Sequence, residues 1–229
     1  MPLPSASGLR EWKKARTRLA ISDVATRLFV ERGFEAVTVS DIAAAAEVSV
    51  KTVFNYFSSK EELFFDRADD VIGAVADAVL ERPAGTTVVT ALHAVLADRR
   101  VAFDADGWRS LRDPEGYERF RGFIAAEHAS PALRARRLVI AEGWTDRLAS
   151  VIAVEWGVAE HDPRPRALAA MVLAVMGLRE RVLSAAILER RAPRTVEARV
   201  RAVVDEAFAR LALCFADVDV VPKADEAAC

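Results

Sequence analysis

The chain has 229 residues, 52% of them apolar and 29% charged, with a formal net charge of −2, enough length to bury a sizeable core in one large or two small domains. No apolar stretch reaches the roughly 20 residues a bilayer needs, and the N-terminus has no hydrophobic signal core, which excludes a membrane protein and predicts a soluble cytoplasmic one. The two cysteines, Cys214 and Cys229, lack metal-like spacing and exclude a disulfide framework, so both are expected to be reduced.

Ala, Val, Leu and Arg are plentiful and strand-like alternation is hard to find, so the fold class is all-α. Charge is unevenly distributed. Through Lys60 there are nine Lys/Arg against six Asp/Glu, a net of +3, while the remainder nets −5. A small DNA-facing module on a body that does not attract phosphate would show this split.

In chain order, Arg10 to Arg32 places Ile21, Val24, Ala25, Leu28 and Phe29 on one helix face. Gly33 ends that helix, and Phe34 can fold back on its last turn. Thr38 caps a short second helix, with Asp41 favouring its dipole and Val39, Ile42, Ala43 and Ala46 turned inward. After about three residues of turn, Ser49 caps a third helix with Val50, Val53, Phe54 and Phe57 at helical spacing; Phe54 and Phe57 are expected in the core, with no DNA role. Two short helices joined by a tight turn make a helix-turn-helix. Ser59 and Glu62 predict a reciprocal capping box opening a long helix that runs unbroken to Pro83-Ala84-Gly85, with a domain boundary near its start. Five more helices follow, at Thr87 to Phe103, Glu115 to His128, Pro131 to Trp156, Arg164 to Arg190 and Thr195 to Phe215. The acidic tail from Ala216 to Cys229 is expected to fray. No internal repeat or low-complexity linker interrupts the pattern.

The residues Ile21, Ala25, Leu28-Phe29, Glu31, Gly33-Phe34, Val37-Thr38-Val39, Asp41-Ile42-Ala43, Ala46, Val48-Ser49, Thr52, Tyr56-Phe57 and Ser59-Lys60-Glu61-Glu62-Leu63 resemble, without a gap, the DNA-binding domain of the TetR/AcrR family. The likeness covers roughly the first quarter of the chain. It implies a DNA-binding domain over residues 10–60, a helical regulatory and dimerisation domain over 61–215, and a tail over 216–229.

In a helix-turn-helix the second helix enters the major groove and reads base edges near its N-terminus. Val50, Lys51 and Asn55 are therefore the candidate readers: Lys can donate to guanine, Asn can pair both ways with adenine, and Val can touch a thymine methyl. Ser49, Thr52 and Tyr56, with Thr38 and Ser40 from the preceding helix, suit phosphate oxygens, although Thr38, Ser49 and Ser59 would be helix caps in any helical protein. Lys60, at a helix N-terminus, would complete the phosphate clamp. Arg10, Lys13 and Lys14 could reach the backbone or the adjacent minor groove. Two positions depart from the family pattern. Glu47 stands in the turn where the family usually has Gly, which predicts a non-glycine residue at a strained backbone angle. Lys51 stands where the family often has a small residue.

For the C-terminal body, the resemblance implies that the last two long helices pair with their copies in a homodimer. The stretch Ala167 to Leu178, apolar on nearly every side, agrees, a deeper monomeric core being the alternative. The family also implies a small-molecule effector. Candidates to line its cavity are Phe103, Trp108, Tyr117, Phe120, Phe123, Trp144, Met171 and Met176, with Arg147, Arg179 or Glu180 as polar handles, plain core being the stronger reading of each aromatic. Arg179-Glu180-Arg181 could be a ligand anchor or an intersubunit ion-pair patch.

The function so implied is a repressor released from a palindromic operator on double-stranded DNA by a small-molecule ligand, with an activator as the variant within DNA binding. No cofactor, metal or membrane partner is expected. The rival class is a helical enzyme or carrier with a vestigial helix-turn-helix. Against it, the sequence has no Gly-x-Ser-x-Gly, His-Glu-x-x-His or phosphate loop, and His93, His128 and His161 lie far apart.

Overall fold

The computed structural model describes residues 6–66, 68–98, 113–159 and 161–220, with side chains from residue 11 onward. Among the described residues there are ten α-helices and no strands. They are α1 (Ala6–Arg32), α2 (Val39–Ala45), α3 (Val50–Phe54), α4 (Lys60–Phe64), α5 (Ala68–Leu80), α6 (Val88–Ala97), α7 (Pro114–Ala129), α8 (Pro131–Trp156), α9 (Pro163–Leu188) and α10 (Pro193–Cys214). None is long and apolar enough to cross a membrane. The chain divides into two units, the first comprising the segment through Asp66 together with Glu118–Arg136, the second comprising Arg67–Tyr117 and the chain from Arg137 onward.

In the first unit, Ile21, Ala25, Leu28 and Phe29 of α1 are buried, as their spacing predicts. Gly33, at φ +80°, ends α1 by turning its N–H back to the Phe29 carbonyl at 3.0 Å, a left-handed cap that glycine adopts without a Cβ penalty. Phe34 then folds onto the last turn, its ring 5.1 Å from that of Phe29. Phe64 joins both rings and stacks on Phe123 at 4.2 Å, and Ala126 and Leu133 complete this core. The predicted unbroken helix from Ser59 to Pro83 is instead two helices. Leu63, Phe64 and Phe65 all pack on the first core, and three consecutive positions span too much of a helix circumference to share one face, so the chain leaves helical geometry at Phe65.

The second unit packs Ile72, Val75 and Val79 of α5, Leu92 and Leu96 of α6, Leu148 and Ile152 of α8, Leu168 and Val172 of α9, and Val204 and Phe208 of α10 into one core. The acidic tail does not fray at Ala216. Residues through Val220 are described, and the buried Asp219 accepts the amides of Val88 at 2.8 Å and Val89 at 2.9 Å and the indole N–H of Trp156 at 3.1 Å. Thr87 takes the next amide, Thr90 N, so the first amides of α6 are all satisfied. Helix α9 buries Leu168, Ala169, Val172 and Val175 and leaves Ala167, Ala170, Met171, Ala174 and Leu178 exposed.

Candidate nucleic-acid interface

The helix-turn-helix is built from local caps. Thr38 Oγ1 accepts the Asp41 amide at 3.1 Å, while Asp41 Oδ2 accepts the Thr38 amide at 2.9 Å and its hydroxyl at 2.6 Å, a complete reciprocal box. The Thr38 hydroxyl and then its amide hold the Asp41 carboxyl below the usual range. Helix α2 is C-capped by Ala46, after which Glu47 lies at φ +55°. Its N–H reaches the Ala44 carbonyl at 3.2 Å and that of Val48 reaches Ala43 at 2.9 Å, which is a Schellman closure with a non-glycine residue in the left-handed position. The strain expected from the sequence is present. Helix α3 then opens with Ser49 Oγ accepting the Thr52 amide at 2.9 Å.

Val53 and Phe57 fix α3 to the core, each 1% exposed. Lys51 and Asn55 are exposed, and Val50 is 39% exposed. Thr52 and Tyr56 are half-buried, and Thr38, Ser40 and Ser49 are exposed, with the Thr38 and Ser49 hydroxyls already engaged in caps. Phe54 corrects the sequence reading: it is 51% exposed and does not enter the core. Val53 holds the inward position of α3 and Phe57, four residues on, continues it, whereas Phe54 lies four residues after the exposed Val50 and shares its outward side.

Two cations brace this arrangement. Arg18, half-exposed on α1, donates to the Tyr56 carbonyl at 2.8 Å, pairs with Asp66 at 2.5 Å and lies 4.4 Å from the Phe57 ring centroid. Sequence reasoning counted Arg18 only as charge, although its i+3 and i+7 relation to Ile21 and Ala25 puts it on the core face. Lys60 stands at the start of α4, as predicted, yet its ammonium donates to the carbonyls of Phe34 at 2.9 Å and Val37 at 3.0 Å and sits over the Phe34 ring. It therefore ties α4 to the connection between α1 and α2. The expected box at Ser59 also differs. Ser59 caps Glu62, but Glu62 reaches back one residue further, to the Ser58 amide at 2.7 Å and hydroxyl at 2.6 Å. Burial raises the Glu62 pKa, and the two Ser58 bonds with Arg18 and Arg136 outweigh that and lower it.

The candidate effector residues are dispersed. Phe103 and Trp108 lie outside the described residues. Phe123 belongs to the core of the first unit, and Phe120 is half-buried in the same unit. In the second unit, the Tyr117 hydroxyl donates to the Arg191 carbonyl at 3.0 Å, and the Trp144 indole donates to Asp69 at 3.3 Å. Met176 packs against the core, whereas Arg147 and Met171 are exposed. Arg179 is 5% exposed, and burial pushes its guanidinium pKa down, opposed by Glu180. With Leu96, Ala97, Asp98, Glu197, Val200 and Arg201 it lines a pocket.

The pattern described as bacterial regulatory proteins, tetR family, matches residues 21–66, the stretch from the first core contact of α1 through α4. The HTH-type transcriptional regulator TcmR of Streptomyces glaucescens is 35% identical over 181 residues, 75% of this chain and 75% of its own length. The chain belongs to the TetR family of bacterial regulators. Two solved structures share the fold. The SmeT–triclosan complex has a TM-score of 0.53 at 20% identity, covering 85% of this chain and 91% of the other. NalD, the secondary repressor of the MexAB-OprM multidrug efflux pump in Pseudomonas aeruginosa, has a TM-score of 0.51 at 17% identity, covering 86% and 96%. As a TetR-family member the protein is a DNA-binding transcriptional regulator and not an enzyme, in a family whose members are typically repressors. TetR-family regulators bind DNA through the N-terminal domain and act as dimers.

Proposed function

We propose that this TetR-family regulator represses transcription in the cytoplasm by gripping a palindromic operator with two copies of α3, and that a small-molecule effector releases it. The observation that carries the reading is the outward face of α3. Val50, Lys51 and Asn55 stand clear of the core on a helix whose other side is held by Val53, Phe57, Ser49 and Arg18. Readers of base edges must be free to bond and rigidly placed, and this face meets both conditions.

Lys51 and Asn55 would read base edges, and Val50 a thymine methyl. Thr38, Ser40, Ser49, Thr52 and Tyr56 would hold phosphates around them. Lys60 would add its charge at the start of α4 while bracing the Phe34 and Val37 carbonyls. Lys13 and Lys14, both exposed on α1, would extend the phosphate contacts. The DNA-contacting residues then fall within 10–60, inside a unit that α4 and Glu118–Arg136 complete, and the rest of the chain through 215 would carry regulation and dimerisation.

A single five-residue reading helix grips one half-site weakly, and two-fold symmetry doubles it across half-sites about 34 Å apart. The exposed apolar stripe Ala167, Ala170, Met171, Ala174 and Leu178 of α9 supports a partner copy on that face. For the effector, Arg179 is the favoured anchor, ahead of Tyr117, Trp144, Arg147 and Met176, because a guanidinium buried to this degree can hold an acceptor group strongly, while Met171 goes to the partner face.

Selection of bound duplexes from random DNA tests the operator reading. A palindromic site should emerge, and Lys51→Ala and Asn55→Ala should each relax preference at defined positions, costing about 1–3 kcal/mol there. Recovery of no palindromic site would overturn the reading. Met171→Glu should yield a monomer that has lost the operator; a dimer of unchanged affinity would remove α9 from the interface.

A further inference from the structure

Phe54 is the residue of α3 that neither the core nor the readers already named account for. A phenylalanine side chain exposed by 51% keeps in water an apolar area that helix formation does not require there. It lies four residues after Val50, so the two share one side of α3, forming an apolar stripe beside the polar stripe of Lys51 and Asn55. Val50 itself is 39% exposed. The major groove presents one apolar group among its acceptors and donors, the C5-methyl of thymine. Along the helix axis, residues four apart are separated by about 6 Å at 1.5 Å per residue. Two base-pair steps of B-DNA cover about 6.8 Å at 3.4 Å each.

We propose that Phe54 is a specificity-determining residue that reads thymine by its methyl group, two base pairs from the thymine read by Val50, so that each half-site carries thymines in that register. The proposal deepens the operator reading and rests on it. Burial of the ring against the methyl and the neighbouring base edge removes the exposed apolar area that the free protein carries. Its polar neighbours set which base stands alongside. A hydroxyl-free ring has no phosphate bond to form at this position, which leaves apolar contact as its chemistry.

The test uses the full-length protein and the duplex it selects. Replacing each selected thymine in turn by deoxyuridine removes only the methyl. At the position under Phe54 the wild type should lose about fourfold in affinity per methyl removed, and Phe54→Ala should bind the thymine and uracil duplexes equally. Phe54→Leu, which stays apolar, should keep part of the discrimination. An unchanged preference at the Asn55 position and an unchanged melting temperature show that each variant is folded and docked. A selected site without thymines in this register, or a thymine-to-uracil loss that persists undiminished in Phe54→Ala, overturns the assignment while leaving the operator reading standing. Failure of the wild type to select any palindromic site overturns both.

Discussion

The caps of the helix-turn-helix and the closure at the start of α6 satisfy polar groups over different sequence distances. In the helix-turn-helix, Thr38 pairs with Asp41, Ser49 with Thr52 and Ser58 with Glu62, all within one helical turn. In the second unit, Asp219 serves amides some 130 residues away, His93 pairs with Asp205 at 2.8 Å, and Arg82 pairs with Glu155. The first pattern makes a small module whose turns are dictated on the spot. The second makes a body whose helices depend on closure by the far end of the chain.

Asp219→Ala gives the largest expected break in that comparison. It strips two backbone amides at the start of α6 of their acceptor, together with the Trp156 indole, and should cost about 3 kcal/mol. Asp219→Asn, which keeps one acceptor oxygen, should cost less. Denaturant unfolding measures both, and a loss below about 0.5 kcal/mol for the alanine variant would show that water replaces the latch without penalty. Within the first unit, Thr38→Ala and Ser49→Ala should each cost about 1 kcal/mol as lost N-caps, with the two effects confined to hydrogen exchange in α2 and α3. Equal slowing or quickening of exchange in α6 would contradict the local character claimed for the module.

Glu47→Gly should act in the opposite direction. Removing a Cβ from a residue at φ +55° relieves strain and should stabilise the protein by about 1 kcal/mol. It also deletes a carboxylate from the turn between the two helices, so operator affinity should rise with it. A destabilised Glu47→Gly protein would mean that the Glu47 side chain contributes more than its backbone costs.

The smallest expected effect is in acid. Asp162 caps α9, and hydrogen bonds from the Arg164 side chain and amide hold its carboxyl down to about 2. Because its folded pKa is depressed, its contribution is present above the ordinary value of 3.8 and is lost as pH falls toward 2. A titration of the Asp162 carboxyl by NMR should find its midpoint well below 3.8, and a midpoint at 3.8 would show that Arg164 leaves the cap in solution.

The same contrast of distances explains what was legible in the sequence. The three caps, the Gly33 stop, the strain at Glu47 and the buried face of α1 are all written within a few residues of where they act. Helices α7 to α10 were bounded to within about two residues by their prolines and apolar periodicity. The roles of Arg18 and Lys60 were not legible, because their partners Tyr56, Phe34 and Val37 lie more than 20 residues away. Phe54 was misplaced because Val50, Val53, Phe54 and Phe57 are all apolar at helical steps, and only the fold shows that Val53 and Phe57 face inward while Val50 and Phe54 face outward. The break at Phe65 was hidden for a similar reason, three consecutive apolar residues reading equally as one helix or as two. The dispersal of the effector candidates reflects composition: a large aromatic residue is as suitable for a core as for a cavity, and only the fold assigns Phe123 to the stack with Phe64.

If α3 reads DNA with its outward residues while Arg18 holds its inner end in place, the two kinds of residue must fail differently when removed. Base preferences and affinity should be measured together for Asn55→Ala and Arg18→Ala on the selected operator. Asn55→Ala should lose preference at one position of each half-site and keep the rest. Arg18→Ala should weaken binding at every position without changing which bases are preferred. If Asn55→Ala leaves the preference profile intact, or Arg18→Ala alters a single position, the division between reading face and bracing face is contradicted.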